Sequence, residues 1–174
     1  MVNAIIQTLA TLLSLVQPDL TKAQSEVVLS VVWFGLLKGY SVANMEWIVG
    51  QSWLESARMT NPNAQSYNNP FGMSKVVTRE TTQIGYIELS DGNTFGTYTD
   101  ITSATKDRFL WDRYFECDEY RRLPEYGTRV SKKYHESTAY NIAVANVSVK
   151  GVRTSLLLVL GIIPSTYLIL KSIS

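Results

Sequence analysis

The sequence predicts an α+β domain in which helices come first, a small antiparallel sheet follows, and helices return. Three observations carry this. Apolar residues recur at helical spacing up to about residue 57. β-forming residues cluster between 76 and 99 around an Asp91-Gly92-Asn93 turn signal, and the helical period resumes from Ser103. Strands and helices do not alternate, so the expected arrangement is a β-hairpin folded over one side of a mostly helical body. At 174 residues and 45% apolar, the chain has the size of one domain and enough material for a core.

Taken in order, Ile5, Leu9, Leu12, Leu13 and Val16 outline an amphipathic N-terminal helix, which Pro18 and Asp19 end, giving a segment 1–20. No Lys or Arg precedes Lys22, so this stretch does not read as a secretory signal. Residues 23–38 are apolar on most faces and predict a central buried helix, with Thr21 and Ser25 as candidate caps and Gly39 as a stop. Ser41 is placed to cap the next helix, Val42 to about Ala57, whose buried stripe is Met45, Ile48, Val49 and Trp53. The Asn, Pro and Gly content of residues 60–73 argues against a helix and for consecutive turns. Val76 to Thr78, Ile84 to Leu89 and Thr94 to Tyr98 predict two or three short strands. Ala104, Asp107, Arg108, Leu110, Trp111, Tyr114 and Phe115 then outline a helix with an aromatic face. Residues 118–135 are heavily charged and contain Pro124, which predicts a short helix and a surface turn, and Thr138 to about Val149 is a further short helix. The main domain is thus expected over 21–150, with a hydrophobic segment at 151–174.

Composition excludes several functions. A net charge of +1 gives no field to favour nucleic acid. The single cysteine, Cys117, rules out an internal disulfide. The single histidine, His135, flanked by Lys132, Lys133 and Glu136, speaks against a Ser-His-Asp triad and a His-based metal centre. With no cluster at ligand spacing, no metal or cofactor is expected. Residues 154–170 carry no charge. They read either as a membrane-spanning helix, with Arg153 and Lys171 snorkelling and Tyr167 at an interface, or as a buried helix of the soluble core broken at Gly161 and Pro164.

Glu55 is the residue placed to carry chemistry. It ends a helix bearing Trp47 and Trp53, and a polar, turn-rich loop follows that can wall a cleft. A helix C-terminus and apolar neighbours both disfavour the carboxylate, so its pKa is expected to be raised. A carboxyl group kept protonated in this way suits the general acid of glycoside hydrolysis. Position alone would leave Glu55 an ordinary solvated glutamate.

The surrounding string alters that. Gln51, Leu54-Glu55-Ser56 and, after a short loop, Asn68-Asn69-Pro70-Phe71-Gly72-Met73-Ser74-Lys75 resemble glycoside hydrolase family 73, the flagellar-type and autolysin-type β-N-acetylglucosaminidases. Pro70 replaces the family's usual Leu, and Ala57 stands where a Gly usually follows Glu-Ser. A looser similarity reaches Phe109-Leu110-Trp111 and the Tyr134 to Tyr140 region. The resemblance implies a lysozyme-like fold and cleavage of the peptidoglycan glycan strand with Glu55 as general acid. Phe71 and Gly72 would line the cleft, while Asn68 and Asn69 would fix the loop and reach the glycan. The second carboxylate would come from the β-lobe: Glu88 is preferred, Glu80 is the runner-up and binding candidate, and Asp91 is a third choice. Tyr140 best matches a tyrosine that faces the acid in this family, with Tyr126 and Tyr134 as alternatives. Trp111 and Tyr114 either stack on sugars or pack in the core. Combined with the apolar 154–170 run, the resemblance gives an expectation of a phage-encoded lytic protein, held in a virion or at a membrane beside virion proteins and acting at entry or exit. A lytic transglycosylase and an inactive structural protein on the same fold are the alternatives.

Overall fold

A computed structural model describes residues 2–114 together with Val152, Thr154 and Ser155. Over these residues the chain forms α1 (Val2–Val16), α2 (Lys22–Leu37), α3 (Val42–Glu55), α4 (Pro62–Ser66), β1 (Gly85–Glu88), β2 (Thr94–Thr97) and α5 (Ile101–Tyr114). The two strands make one antiparallel sheet, pairing Gly85 with Thr97 and Glu88 with Thr94. The α+β expectation is met: a helical body and one hairpin.

α2 is the axis of the body. Every residue from Gln24 to Trp33 is buried, because α1, α3 and α5 all pack against it. Its ends follow from local chemistry. Thr21 accepts the Gln24 N–H while the Gln24 side chain accepts the Thr21 N–H, a capping box. At the other end, Tyr40 N–H bonds to Gly35 C=O and Gly39 N–H to Leu36 C=O, with Gly39 at φ +73, a Schellman stop. Gly35 lets α3 approach closely: a β-carbon there would lie 2.5 Å from Met45 Sδ.

α1 contributes Ile6, Leu9, Ala10 and Leu13 to the same core as α2, so it is part of the body. Its buried stripe is rotated from the expected one: Leu12 and Val16 are exposed, and Ala10 takes the inward position where α1 meets α2. Asn3 ties the start of α1 to α5, donating to Asp100 Oδ2 at 3.0 Å and accepting from Thr102 Oγ1 at 3.0 Å.

Three boundaries differ from the expectation. α3 stops at Glu55 because residues 57–59 turn left-handed. The 60–73 loop contains the one-turn helix α4: Asn61 Oδ1 accepts the Asn63 and Ala64 N–H groups, and Pro62 presets the first helical φ. Val76 to Thr78 form no strand. At its start the backbone bonds to a side chain instead, Val76 N–H to Gln83 Oε1, as does Lys75 N–H just before it, to Thr94 Oγ1. The hairpin turns where expected, with Gly92 at φ +82 and its N–H on Leu89 C=O.

Among the described residues no helix is long and apolar enough to cross a membrane. The expected elements beyond residue 114, and the apolar run after Ser155, lie outside the described residues. Val152 is buried in the common core, and Thr154 Oγ1 accepts from Gln17 Nε2 at 3.2 Å.

Candidate functional site

Glu55 sits on the last turn of α3, and the chain spends several interactions on that turn. Ser41 starts the helix by accepting the Asn44 N–H. At its end, Ser56 Oγ donates to Ser52 C=O at 2.6 Å and accepts from Met59 N–H at 2.9 Å, folding the exit back onto the helix. Ala57, Arg58 and Met59 then adopt φ of +49, +57 and +62. Each such residue with a β-carbon costs roughly 1–2 kcal/mol. The turn is held against that cost by neighbouring elements: Gln24 Nε2 donates to Arg58 C=O at 2.8 Å, Gln65 Nε2 donates to Met59 C=O, and Arg58 N–H reaches Trp53 C=O at 2.8 Å. The position after Glu-Ser is therefore one where glycine is favoured, and Ala57 occupies it under strain.

The facing wall is the 68–79 segment. Asn69 is its hub and is wholly buried. Its Oδ1 accepts Met73 N–H at 3.0 Å, and its Nδ2 donates to Met73 C=O and Gly96 C=O, both at 2.9 Å. Gly96 N–H returns a bond to Met73 C=O at 2.8 Å, so the loop is sewn to β2. Asn68, at φ +51, donates to Tyr98 C=O and Thr99 C=O. The two asparagines thus fix the loop, as expected. The Asn69 side chain is committed to the backbone and lies off the groove.

Between these walls lies a groove of about 360 Å³. Gln51, Glu55, Arg108 and Trp111 line one side, and the run Phe71 to Arg79 lines the other. Phe71 is buried beneath it and belongs to the core as well. Gly72, at φ +61, meets Glu55 directly: a β-carbon there would lie 2.8 Å from Glu55 Oε2. The Glu55 side chain as a whole is exposed, since it faces the open groove, yet the carboxyl end is crowded by the wall. This partial loss of water raises its pKa above the ordinary value of 4.5. The expected direction is met, and desolvation is its cause. Glu55 is the single carboxylate lining the groove among the described residues.

Two buried arginines complete the walls. Arg79 makes a two-pronged ion pair with Asp107, at 2.8 and 2.9 Å. Asp107 also accepts from Thr82 N–H and, at 2.8 Å, from the Tyr98 hydroxyl. Burial pushes the Asp107 pKa upward, but the bonds from Arg79 and its neighbours outweigh it and hold the carboxyl below its usual value. Burial, and then the charge of Asp107, drives the Tyr98 pKa up. Arg108 Nε donates to Gln51 Oε1 at 2.9 Å, and its guanidinium lies 4.9 Å from the centre of the Trp111 ring. Gln51 stands one turn before Glu55, so this bond ties the acid's helix to α5. The sequence reading named Asp107 and Arg108 only as members of a helix. Two adjacent opposite charges on a largely apolar face were the available signal, but the partners Arg79 and Gln51 lie 28 and 57 residues away.

Of the remaining expected residues, Glu88 ends β1, exposed, paired across from Thr94 and off the groove. Glu80 is exposed and also off the groove, its carbonyl accepting from Arg79. Asp91 belongs to the hairpin tip, where bonds from Asn93 lower its pKa. Tyr140, Tyr126 and Tyr134 lie outside the described residues. Trp111 lines the groove, half-buried, with the Arg108 guanidinium against its ring. No group of three or more His, Cys, Asp or Glu residues able to hold a metal occurs among the described residues.

No protein family matches the chain, and no curated protein does. Among solved structures, a type VI secretion system effector-immunity complex from Pseudomonas protegens is similar at 14% identity and a TM-score of 0.43, covering 75% of this chain and 94% of that one. A likeness of that size carries no argument about fold family or function.

Proposed function

We propose that this protein cleaves the glycan strand of peptidoglycan, with Glu55 as the general acid, on a lysozyme-like arrangement of helical body and hairpin. The observation that carries the reading is the Glu55 carboxyl itself. It faces an open groove, is pressed by the Gly72 backbone, and has a pKa raised by desolvation. A protonated carboxyl at that place would donate to the glycosidic oxygen of a sugar chain lying along the groove, and the Trp111 ring offers an apolar surface to a sugar face.

Two courses follow protonation. In hydrolysis like that of family 73, a second carboxylate or a water completes the reaction. In a lytic transglycosylase, the 6-hydroxyl of the same sugar attacks C1, the leaving oxygen takes the Glu55 proton, and Glu55 accepts the hydroxyl proton, leaving a 1,6-anhydro end. Glu55 standing as the single groove carboxylate among the described residues favours this second course, because it needs one acid. Mass spectrometry of fragments released from purified peptidoglycan decides between them. A reducing end supports hydrolysis, and an anhydro end supports the transglycosylase. Release that is equal from wild type and Glu55→Gln overturns both.

We further propose that the activity is exerted from a phage virion or at a membrane, the uncharged run 154–170 supporting the membrane half. Flotation of the full chain with lipid vesicles, against a chain ending at residue 153, tests the membrane half. Equal behaviour of the two chains overturns it.

A further inference from the structure

Lys75 closes the Asn68 to Lys75 string, and nothing in the proposed chemistry uses it. It is exposed on the groove wall, three residues beyond Gly72. Its ammonium lies 3.9 Å from the centre of the Tyr86 ring, and its N–H is bonded to Thr94 Oγ1 at 3.2 Å, so both backbone and side chain are steadied by the hairpin. No ion pair of Lys75 with a carboxylate occurs among the described residues.

The charges along the groove are unequal. Among the described residues, Lys75, Arg79 and Arg108 line it, against Glu55. Arg79 is neutralised by Asp107, which stands behind the wall. When Glu55 carries its proton, as a general acid must, Lys75 is left as the exposed charge on the described groove wall. A neutral polymer gains nothing from this, whereas a strand bearing carboxylates is drawn to it.

We propose that the groove selects a carboxylate-bearing glycan, and that Lys75, steadied on Tyr86, is the residue that engages the carboxylate. This rests on the glycan-cleaving reading and deepens it by naming the substrate class. Arg108 is buried in the wall against Gln51 and Trp111, while Lys75 is the cation that is solvent-exposed and reachable.

The test compares two forms of one substrate: peptide-free peptidoglycan glycan strands, which bear the lactyl carboxylates, and the same strands with those carboxylates converted to amides. KM for strand cleavage, followed as fragments resolved by chromatography whichever end they carry, is measured with wild type, Lys75→Met and Lys75→Arg at low and high salt. Binding of Glu55→Gln, alone and combined with Lys75→Met, is measured in parallel because it needs no turnover. Wild type is expected to prefer native over amidated strands by roughly tenfold in KM at low salt, the preference shrinking at high salt. Lys75→Met is expected to bring that preference close to one, and Lys75→Arg to retain it. A preference that survives Lys75→Met, or a wild type indifferent to amidation, overturns the proposal. If no strand is cleaved but Glu55→Gln binds in a carboxylate- and Lys75-dependent way, the selection stands and the proposed activity falls.

Discussion

The backbone of Gly72 lies against the carboxyl of Glu55 so closely that a β-carbon on Gly72 would come within 2.8 Å of Oε2 and 3.3 Å of Cδ. Gly72 also sits at φ +61, a left-handed backbone that favours glycine there. Close approach of the wall is part of the burial that raises the Glu55 pKa.

Gly72→Ala is therefore expected to act on both stability and activity. The left-handed φ costs roughly 1–2 kcal/mol in any residue with a β-carbon. The carboxyl, being the end of a flexible side chain, swings aside, and a displacement on the order of 1 Å costs about 100-fold in rate. Thermal melts and steady-state rates on peptidoglycan check the two effects separately.

Ala57→Gly should do the reverse. Ala57 holds φ +49 on the turn that leaves the acid. Relief of roughly 1–2 kcal/mol, less about 0.5–1 kcal/mol for glycine's larger unfolded-state entropy, leaves a net gain of about 0–1.5 kcal/mol. Chemical denaturation reads it, and a loss of stability would show that the turn is unstrained.

Asp107→Asn should be among the most damaging changes outside the acid. It leaves buried Arg79 facing a neutral partner and disturbs the bonds from Thr82 and Tyr98. Breaking a buried pair in this way costs about 3–5 kcal/mol. The pH dependence has a fixed sign. The folded pKa of Asp107 lies below the ordinary 3.8, so its contribution is complete above that value and is lost as pH falls through the folded pKa. Acid unfolding followed by circular dichroism should show a wild-type loss below about pH 4 that is smaller in Asp107→Asn.

Glu26 gives the opposite sign. Buried on α2, its pKa is raised above 4.5 by desolvation and then by Asp100. Its favourable contribution is present below 4.5 and lost as pH rises through the folded value. Glu26→Gln should thus flatten the fall in stability above pH 4.5, and denaturant midpoints compared at pH 4 and pH 7 measure it.

Much of this site could be read along the chain, and the parts that could not share a cause. Glu55 was legible because a capped amphipathic helix ended on it and the Asn68 to Gly72 string followed. The role of Asn69 as a turn-former was legible because Asn-Asn-Pro-Phe-Gly is turn chemistry. Helix α4 was hidden because Asn61 and Pro62 read as a loop signal when they are also a cap and a first helical residue. Val76 to Thr78 read as a strand by propensity, but the Gln83 side chain claimed its first backbone donor, and Thr94 that of Lys75 just before it. Glu88 was chosen by spacing from Glu55, and strand alternation turned it to solvent. The pairs Arg79–Asp107 and Gln51–Arg108 are tertiary contacts, which no local pattern encodes.

The account's central claim is that Glu55 donates the proton, and the rate of glycan cleavage by wild type and Glu55→Gln as a function of pH tests it most directly. The account predicts that wild-type rate falls as pH rises through a pKa above 4.5, and that Glu55→Gln, folded to the same melting temperature, loses at least about 100-fold together with that limb. A Glu55→Gln protein that cleaves at the wild-type rate with the same pH limb would contradict it.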